Sequence, residues 1–202
     1  MPLEGAHAPG ATPLTPDDIA GLKIRSITTH AELNEAEASN IIRGQQWGLR
    51  SRLARLPQML SDRFMQRLHR EMFGDVWAWA GGYRERDTNI GVEHHLIRQE
   101  LRRSYDDARE WLDQDTYPPD EFAVRLHYRV VAVHPFRNGN GRHARMLAAL
   151  ALARHFNANP LPWGGGALRS TDATRRAYID ALEAADHHDF APLLRFARSS
   201  NA

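Results

Sequence analysis

HPFRNGNGRHAR, residues 134–145, sets a histidine, a run of small turn-forming residues and two arginines between two apolar segments. Packing of a helical core asks for no such combination. Gly139 and Gly141 open backbone angles closed to other residues, and asparagine tolerates the left-handed region, so Asn138-Gly139-Asn140-Gly141 can curl its N–H groups inward as an anion nest. The loop feeds a helix beginning near Gly141, whose first turn carries unpaired donors and the positive end of the dipole, both favourable to phosphate. Arg142 and Arg145 lie three apart, share a helix face and can reach successive phosphates. His134 ends the preceding helix, and an ordinary imidazole pKa of about 6.5 suits it to accept a proton at neutral pH. The segment points to a nucleotide polyphosphate. It is not a Walker loop, because GxxxxGK[ST] does not occur and Lys23, the one lysine, is remote.

The flanks of this segment predict an all-α fold. Upstream, Phe122, Leu126, Val130 and Val133 recur at helical spacing after the double proline 118–119; downstream, the Ala- and Leu-rich run 141–156 reads as the most buried helix. Thr29 with Glu32 forms a capping box for a helix reaching about Leu53, and Phe64, Met65, Leu68 and Met72 mark the apolar face of a helix opening at Ser61. A helix is expected over 98–113, a glycine- and proline-rich loop over 157–170, and shorter helices near 171–186 and 189–198. Residues 84–97 alternate polar and apolar around Asn89 and Gly91, which predicts a short β-hairpin. The tryptophans of GDVWAWAGGY (74–83) read as aromatic packing at a helix end. Residues 1–15 read as a flexible lead-in, 16–60 as a helical extension and 61–198 as the core domain.

At 202 residues with 42% hydrophobic and 25% charged side chains, the chain is the size of one globular domain. The formal net charge is +1, and acidic residues balance the arginines along the chain, so neither a basic arm nor a direct nucleic-acid contact is expected. The absence of cysteine excludes disulfides, thiolate zinc sites and cysteine nucleophiles, and suits a cytoplasmic address. No stretch approaches the roughly 20 apolar residues that span a bilayer, and the N-terminus has no secretion signature. The pairs His94-His95 and His187-His188 project divergent rings without a third ligand, so neither reads as a metal site. His143 lies between the two arginines and is given no role.

The segment resembles the Fic signature, HPFx[D/E]GNGRxxR, with matches at His134, Pro135, Phe136, Gly139, Asn140, Gly141, Arg142 and Arg145. The likeness continues through LHREMFGDVWAWAGGYR (68–84) and TRRAYIDALEAADHHDFAPLLRFAR (174–198), and ELNEAEASNI (32–41) with WGGG (163–166) is similar to the Fic-containing family called mobile mystery protein B. The resemblance implies a Fic-fold helical bundle with a short β-hairpin flap, acting as a protein adenylyltransferase. Such an enzyme moves AMP from ATP, with Mg²⁺, to a Ser, Thr or Tyr hydroxyl of a target protein. His134 would then be the general base, Gly139, Asn140 and Gly141 the anion hole, Arg142 and Arg145 the β- and γ-phosphate ligands, and Phe136 the anchor of the loop. Asn89, Ile90 and Gly91 would be the flap that holds the target by strand pairing. Asn138 stands where the family carries the Asp or Glu that holds Mg²⁺. The family's inhibitory glutamate pairs with the second motif arginine; no strict [S/T]xxxE[G/N] occurs, and Glu35 and Glu37 are the nearest candidates. The subfamily adds a toxin-like role beside a helix-turn-helix partner protein. The alternatives are a degenerate Fic-fold module that binds nucleotide without turnover and an arginine-rich nucleic-acid binder.

Overall fold

The computed structural model describes residues 14–165 and 172–200, and all regular elements among them are helical. The lead-in expected over 1–15 falls outside the described residues as far as residue 13. Thr15 caps α1 (Pro16–Ala20): its hydroxyl accepts from the Asp18 N–H, and the Asp18 carboxylate accepts from the Thr15 N–H and O–H. α2 (His30–Arg50) opens on the expected box of Thr29 and Glu32. It stops short of Leu53 because Ser51 is extended and its hydroxyl accepts from the Leu53 N–H. α3 (Asp62–Phe73), α4 (Ile97–Asp113), α5 (Pro119–Val133), α6 (Asn140–Arg154), α7 (Asp172–Asp186) and α8 (Ala191–Arg198) follow, with a 3₁₀ turn (His94–Leu96) leading into α4.

α5 and α6 pack on each other at the centre and are covered on two sides. Phe122, Leu126 and Val130 of α5, with Ala144, Leu147 and Leu150 of α6, join α3 and α4 in the larger apolar cluster. Ala123, Val124, Ala148 and Leu152 face the smaller one, built with Trp163, α7 and α8. Burial on both sides follows from composition: alanine and leucine encircle α6, so no face of it prefers water. α2 reaches this core through glycine. A Cβ on Gly44 would stand 2.6 Å from Met72 Cγ and 3.0 Å from Met72 Cα, and one on Gly48 would stand 2.6 Å from a Leu150 methyl. The two glycines let the α2 backbone lie against α3 and α6.

The hairpin expected over 84–97 does not form. Among the described residues the only strand-like pairings are isolated bridges, Leu22 with Trp77 and Tyr83 with Phe136. Residues 85–93 are bends and irregular chain held by side chains: Asp87 accepts from the His94 N–H, and the Thr88 hydroxyl donates to the Ile90 carbonyl. Among the described residues no helix is long and apolar enough to cross a membrane.

Replacing Gly44 with valine forces branched carbons against the Met72 backbone, which cannot yield as a side-chain tip would. Gly44→Val is expected to lower unfolding free energy by about 1–3 kcal/mol in urea denaturation.

Candidate functional site

α5 ends at His134, whose backbone is left-handed (φ 53°, ψ 58°) and whose N–H still donates to the Val130 carbonyl. This turn, strained for a residue with a Cβ, sends Pro135 and Phe136 down into the core, where Phe136 is fully buried. Asn140 then closes the loop on itself: its side-chain oxygen accepts from the Phe136 N–H and its NH₂ donates to the Phe136 carbonyl, both at 2.8 Å. The expected anion-hole role therefore does not involve the Asn140 side chain, which is spent inside the loop. Its place at the first turn of α6 remains.

Gly139 precedes α6 with φ 78°, and a Cβ there would meet the Phe73 ring at 2.7 Å, so backbone angle and packing both demand glycine. Gly141 is different. A Cβ there would come no nearer than 3.6 Å to the Tyr178 hydroxyl and 3.9 Å to Arg145 Nη1. Nothing in the packing requires this glycine, and the space beside it lies between the start of α6, Arg145 and Tyr178.

The two motif arginines have different surroundings. Arg142 Nη1 donates to Glu37 Oε2 at 2.5 Å, its Nη2 lies 3.5 Å from Asn138 Oδ1, and its guanidinium sits 5.0 Å above the Phe73 ring centre. Glu37 is 3% exposed and also accepts from the Trp77 indole N–H at 2.7 Å. The resemblance offers Glu35 or Glu37 as a carboxylate for Arg145, beside the plainer reading of a solvated helix face; Glu37 is buried and meets Arg142, in reach of Phe73 and Trp77. Glu35 is exposed on the same helix and reaches neither arginine. Arg145 is half-buried over the Tyr178 ring at 5.4 Å, and among the described residues no carboxylate lies within ion-pair distance of it. Burial holds its pKa below the usual arginine value. The Tyr178 hydroxyl is 3.0 Å from Nε2 of His127, a fully buried ring that the sequence did not single out.

Histidines also set the shape of the loop. The Gly81 N–H donates to His69 Nδ1 at 3.0 Å, so the proton resides on Nε2, which donates to the Asn138 carbonyl at 3.1 Å. The His69 ring stacks on Phe136 with centroids 3.8 Å apart. His143, assigned no role from sequence, is fully buried, donates through Nε2 to the Met65 carbonyl and meets Phe136 edge-on at 4.9 Å. Asn138 Oδ1 accepts from the Gly139 N–H at 2.5 Å.

His134 itself is 6% exposed. Burial first, then the nearby Arg84 charge, push its pKa down to about 4, against the opposing hydrogen bond to the Val131 backbone. At neutral pH the ring is uncharged and able to accept a proton. Gly91 (φ 94°) lies on it, with a would-be Cβ only 2.5 Å from His134 Cβ, and Asn89 and Ile90 beside it are exposed. The structure thus gathers His134, Gly139, Gly141, Arg142, Arg145, Asn138 and the segment 89–91 in one place, with Glu37. His94 pairs with Asp87 and His95 with Glu93, and among the described residues no three His, Cys, Asp or Glu side chains are grouped so as to hold a metal ion.

An all-helical bundle that presents a neutral histidine and two arginines around a glycine loop at a helix N-terminus has the donors and the charge that an anion would need. Residues 59–152 match the model of the Fic/DOC family. Over 134 residues, 64% of this chain, it is 33% identical to protein adenylyltransferase Fic of Nematostella vectensis, of which it matches 29%. It is 31% identical over an equal span to protein adenylyltransferase fic-1 of Caenorhabditis elegans, of which it matches 25%. The chain therefore spans under a third of the length of these curated relatives. Among solved structures, BepC of Bartonella tribocorum with bound AMPPNP is similar at TM-score 0.65 and 17% identity, covering 94% of this chain and 92% of that one. Fic-1 of C. elegans is similar at TM-score 0.58 and 26% identity, covering 80% and 48%.

The buried histidines couple the fold to pH. His134 and His143 have pKa values lowered to about 4, and those of His69 and His127 also lie well below 6.5, chiefly through burial. A depressed folded-state pKa means that the unfolded chain binds protons first, so this stability is complete above about pH 6.5 and is lost as the pH falls from there towards 4. Urea denaturation at pH 7 and pH 5 should show a loss on the order of 1 kcal/mol for each buried ring. A pH-independent midpoint would show that these rings are solvated.

Proposed function

We propose that this domain transfers AMP from ATP to a Ser, Thr or Tyr hydroxyl of another protein. Arg145 carries the reading: a half-buried guanidinium without a carboxylate partner among the described residues, facing the open side of Gly141 at the start of α6. Such a cation calls for an anionic ligand, and the loop that leads to it supplies backbone donors for phosphate oxygens. The names of the curated adenylyltransferase relatives, and the AMPPNP bound to BepC, agree with a nucleoside triphosphate as that ligand.

In this reaction the acceptor hydroxyl gives its proton to His134 while its oxygen bonds to the α-phosphorus. The bond from that phosphorus to the α–β bridging oxygen breaks, and pyrophosphate leaves. Catalysis rests on position and electrostatics: Gly139 to Gly141 and the arginines fix the phosphates, and segment 89–91 holds the acceptor beside the imidazole. Mg²⁺ would find one neutral protein ligand, the Asn138 side-chain oxygen, and take its other ligands from the triphosphate and water. Bound there, the ion supplies screening of the phosphate charge.

Glu37 acts as a built-in competitor in this reading, since a nucleotide reaches Arg142 only by displacing a buried carboxylate. The neutral Asn138 together with this ion pair favours a second reading, a Fic-fold module that binds nucleotide with little or no turnover. In this reading the domain works in the cytoplasm, which the lack of cysteine suits, and the likeness of residues 32–41 and 163–166 to mobile mystery protein B supports a toxin-like activity beside a helix-turn-helix partner.

Incubation with Mg²⁺ and α-³²P-labelled nucleoside triphosphates, alone and with bacterial lysate, tests these readings. Label on protein that disappears in His134→Ala is the expected result, with ATP as donor. Asn138→Asp should raise the rate by about tenfold or more through tighter metal binding, and Glu37→Gln should raise nucleotide affinity by a similar factor. Label only in Asn138→Asp would establish the binding-module reading, and silence in every variant would refute nucleotidyl transfer.

A further inference from the structure

Arg84 is a charged side chain with no exposure at all, and the carboxylate nearest it lies at the outer limit of an ion pair, on a largely exposed residue. Nε donates to the His134 carbonyl at 2.8 Å, Nη1 to the Arg86 carbonyl at 2.9 Å and Nη2 to the Val92 carbonyl. Its backbone N–H donates to the Pro135 carbonyl at 2.9 Å. Asp87 stands 3.8 Å away, largely exposed and shared with His94. A buried guanidinium satisfied by three backbone carbonyls serves geometry, because an ion pair would have sufficed to neutralise it.

These four carbonyls, three met by the side chain and one by the backbone, belong to two pieces of chain that no strand ladder connects. His134 and Pro135 lie past the end of α5, where the left-handed turn leaves carbonyls without helical partners. Arg86 and Val92 are the two ends of the flap, whose other link to α5 is the long 3.4 Å contact from the Val92 N–H to the Val133 carbonyl. Between them Gly91 packs on His134, its would-be Cβ 2.5 Å from the histidine Cβ and 3.1 Å from Arg84 Nη2.

We propose that Arg84 is the positioning residue that fixes the flap segment 89–91 against His134, so that the spacing between the base and an acceptor held by the flap is set before any substrate arrives. The proposal rests on the reading of His134 as the base. Arg84 does this work by being planar and having five donors: a lysine at this place could satisfy one or two carbonyls without spanning both pieces. The charged groups facing the imidazole from the flap are Arg84 and, behind it, Asp87 with His94; from α5 the ring meets the Val131 backbone. Arg84 also keeps a positive charge beside the ring, which favours its unprotonated form.

Arg84→Lys and Arg84→Gln are to be compared with the native chain. Amide hydrogen exchange of residues 85–93 should accelerate at least tenfold in both variants, with little change in α6, and the affinity for a non-hydrolysable ATP analogue should stay within about twofold. The transfer rate at saturating ATP should fall about 100-fold, the loss expected for misplacing a reacting group by an ångström. The His134 ring, followed by NMR titration, should protonate at higher pH in Arg84→Gln and stay near the native midpoint in Arg84→Lys, which retains the charge. Unchanged flap exchange and an unchanged His134 midpoint in Arg84→Gln would overturn the proposal, as would an equal loss of nucleotide affinity and transfer. Exchange and titration need no turnover, so they test Arg84 even if the native protein transfers nothing, an outcome that would count against the adenylyltransferase reading alone. Should Arg84→Gln fail to fold, the exchange comparison rests on Arg84→Lys.

Discussion

Phe136 lies flat against the imidazole of His69, and the geometry of the anion loop follows from that contact. The ring of His69 is pinned at both nitrogens, by the Gly81 N–H on one side and the Asn138 carbonyl on the other, so it cannot rotate without losing two buried hydrogen bonds. A neutral histidine thereby joins three stretches that share no secondary structure: α3, the turn after Trp79, and the loop before α6. His143 meets Phe136 at a steep angle with ring centres 4.9 Å apart, its own ring 5.7 Å from that of His69, while tied to α3 through the Met65 carbonyl. The loop that would grip phosphate is clamped from below by groups that never touch the ligand, and its donors are oriented without the ligand's help.

This arrangement explains which parts of the molecule could be read in advance. Caps and apolar periods are local, so Thr29 with Glu32, Ser61, and the faces of α3 and α5 were legible from neighbours three or four residues away. The loop was legible because its chemistry is compressed into a dozen residues. The flap misled for a physical reason. Its alternation of polar and apolar residues is that of a strand, yet its carbonyls are satisfied by the Arg84 side chain and Asp87 takes up the His94 N–H, leaving no ladder to form. Arg84 gave no sequence signal, since one arginine among many looks like surface charge until its burial is seen.

The partner of Arg142 was also beyond local reading. Glu37 is 105 positions away, and only the packing of α2 across α3 and α6 through Gly44 and Gly48 brings it there. The Asn140 side chain braces the loop internally, because an amide side chain can copy the donor and acceptor of a backbone unit, and no local pattern announced that role. Tyr178 and His127 lie outside the signature altogether and surround Arg145 from α7 and α5.

The tether between Glu37 and Arg142 has a consequence for how the site responds to concentration. A carboxylate carried on the same chain has an effective concentration fixed by the fold, which neither dilution nor expression level changes. Any anion seeking Arg142 competes against that constant, so occupancy follows the free level of the small molecule and is indifferent to how much protein is present. The helix seam made of two glycines thus sets the level that an anion would have to reach before it could take Arg142 from Glu37.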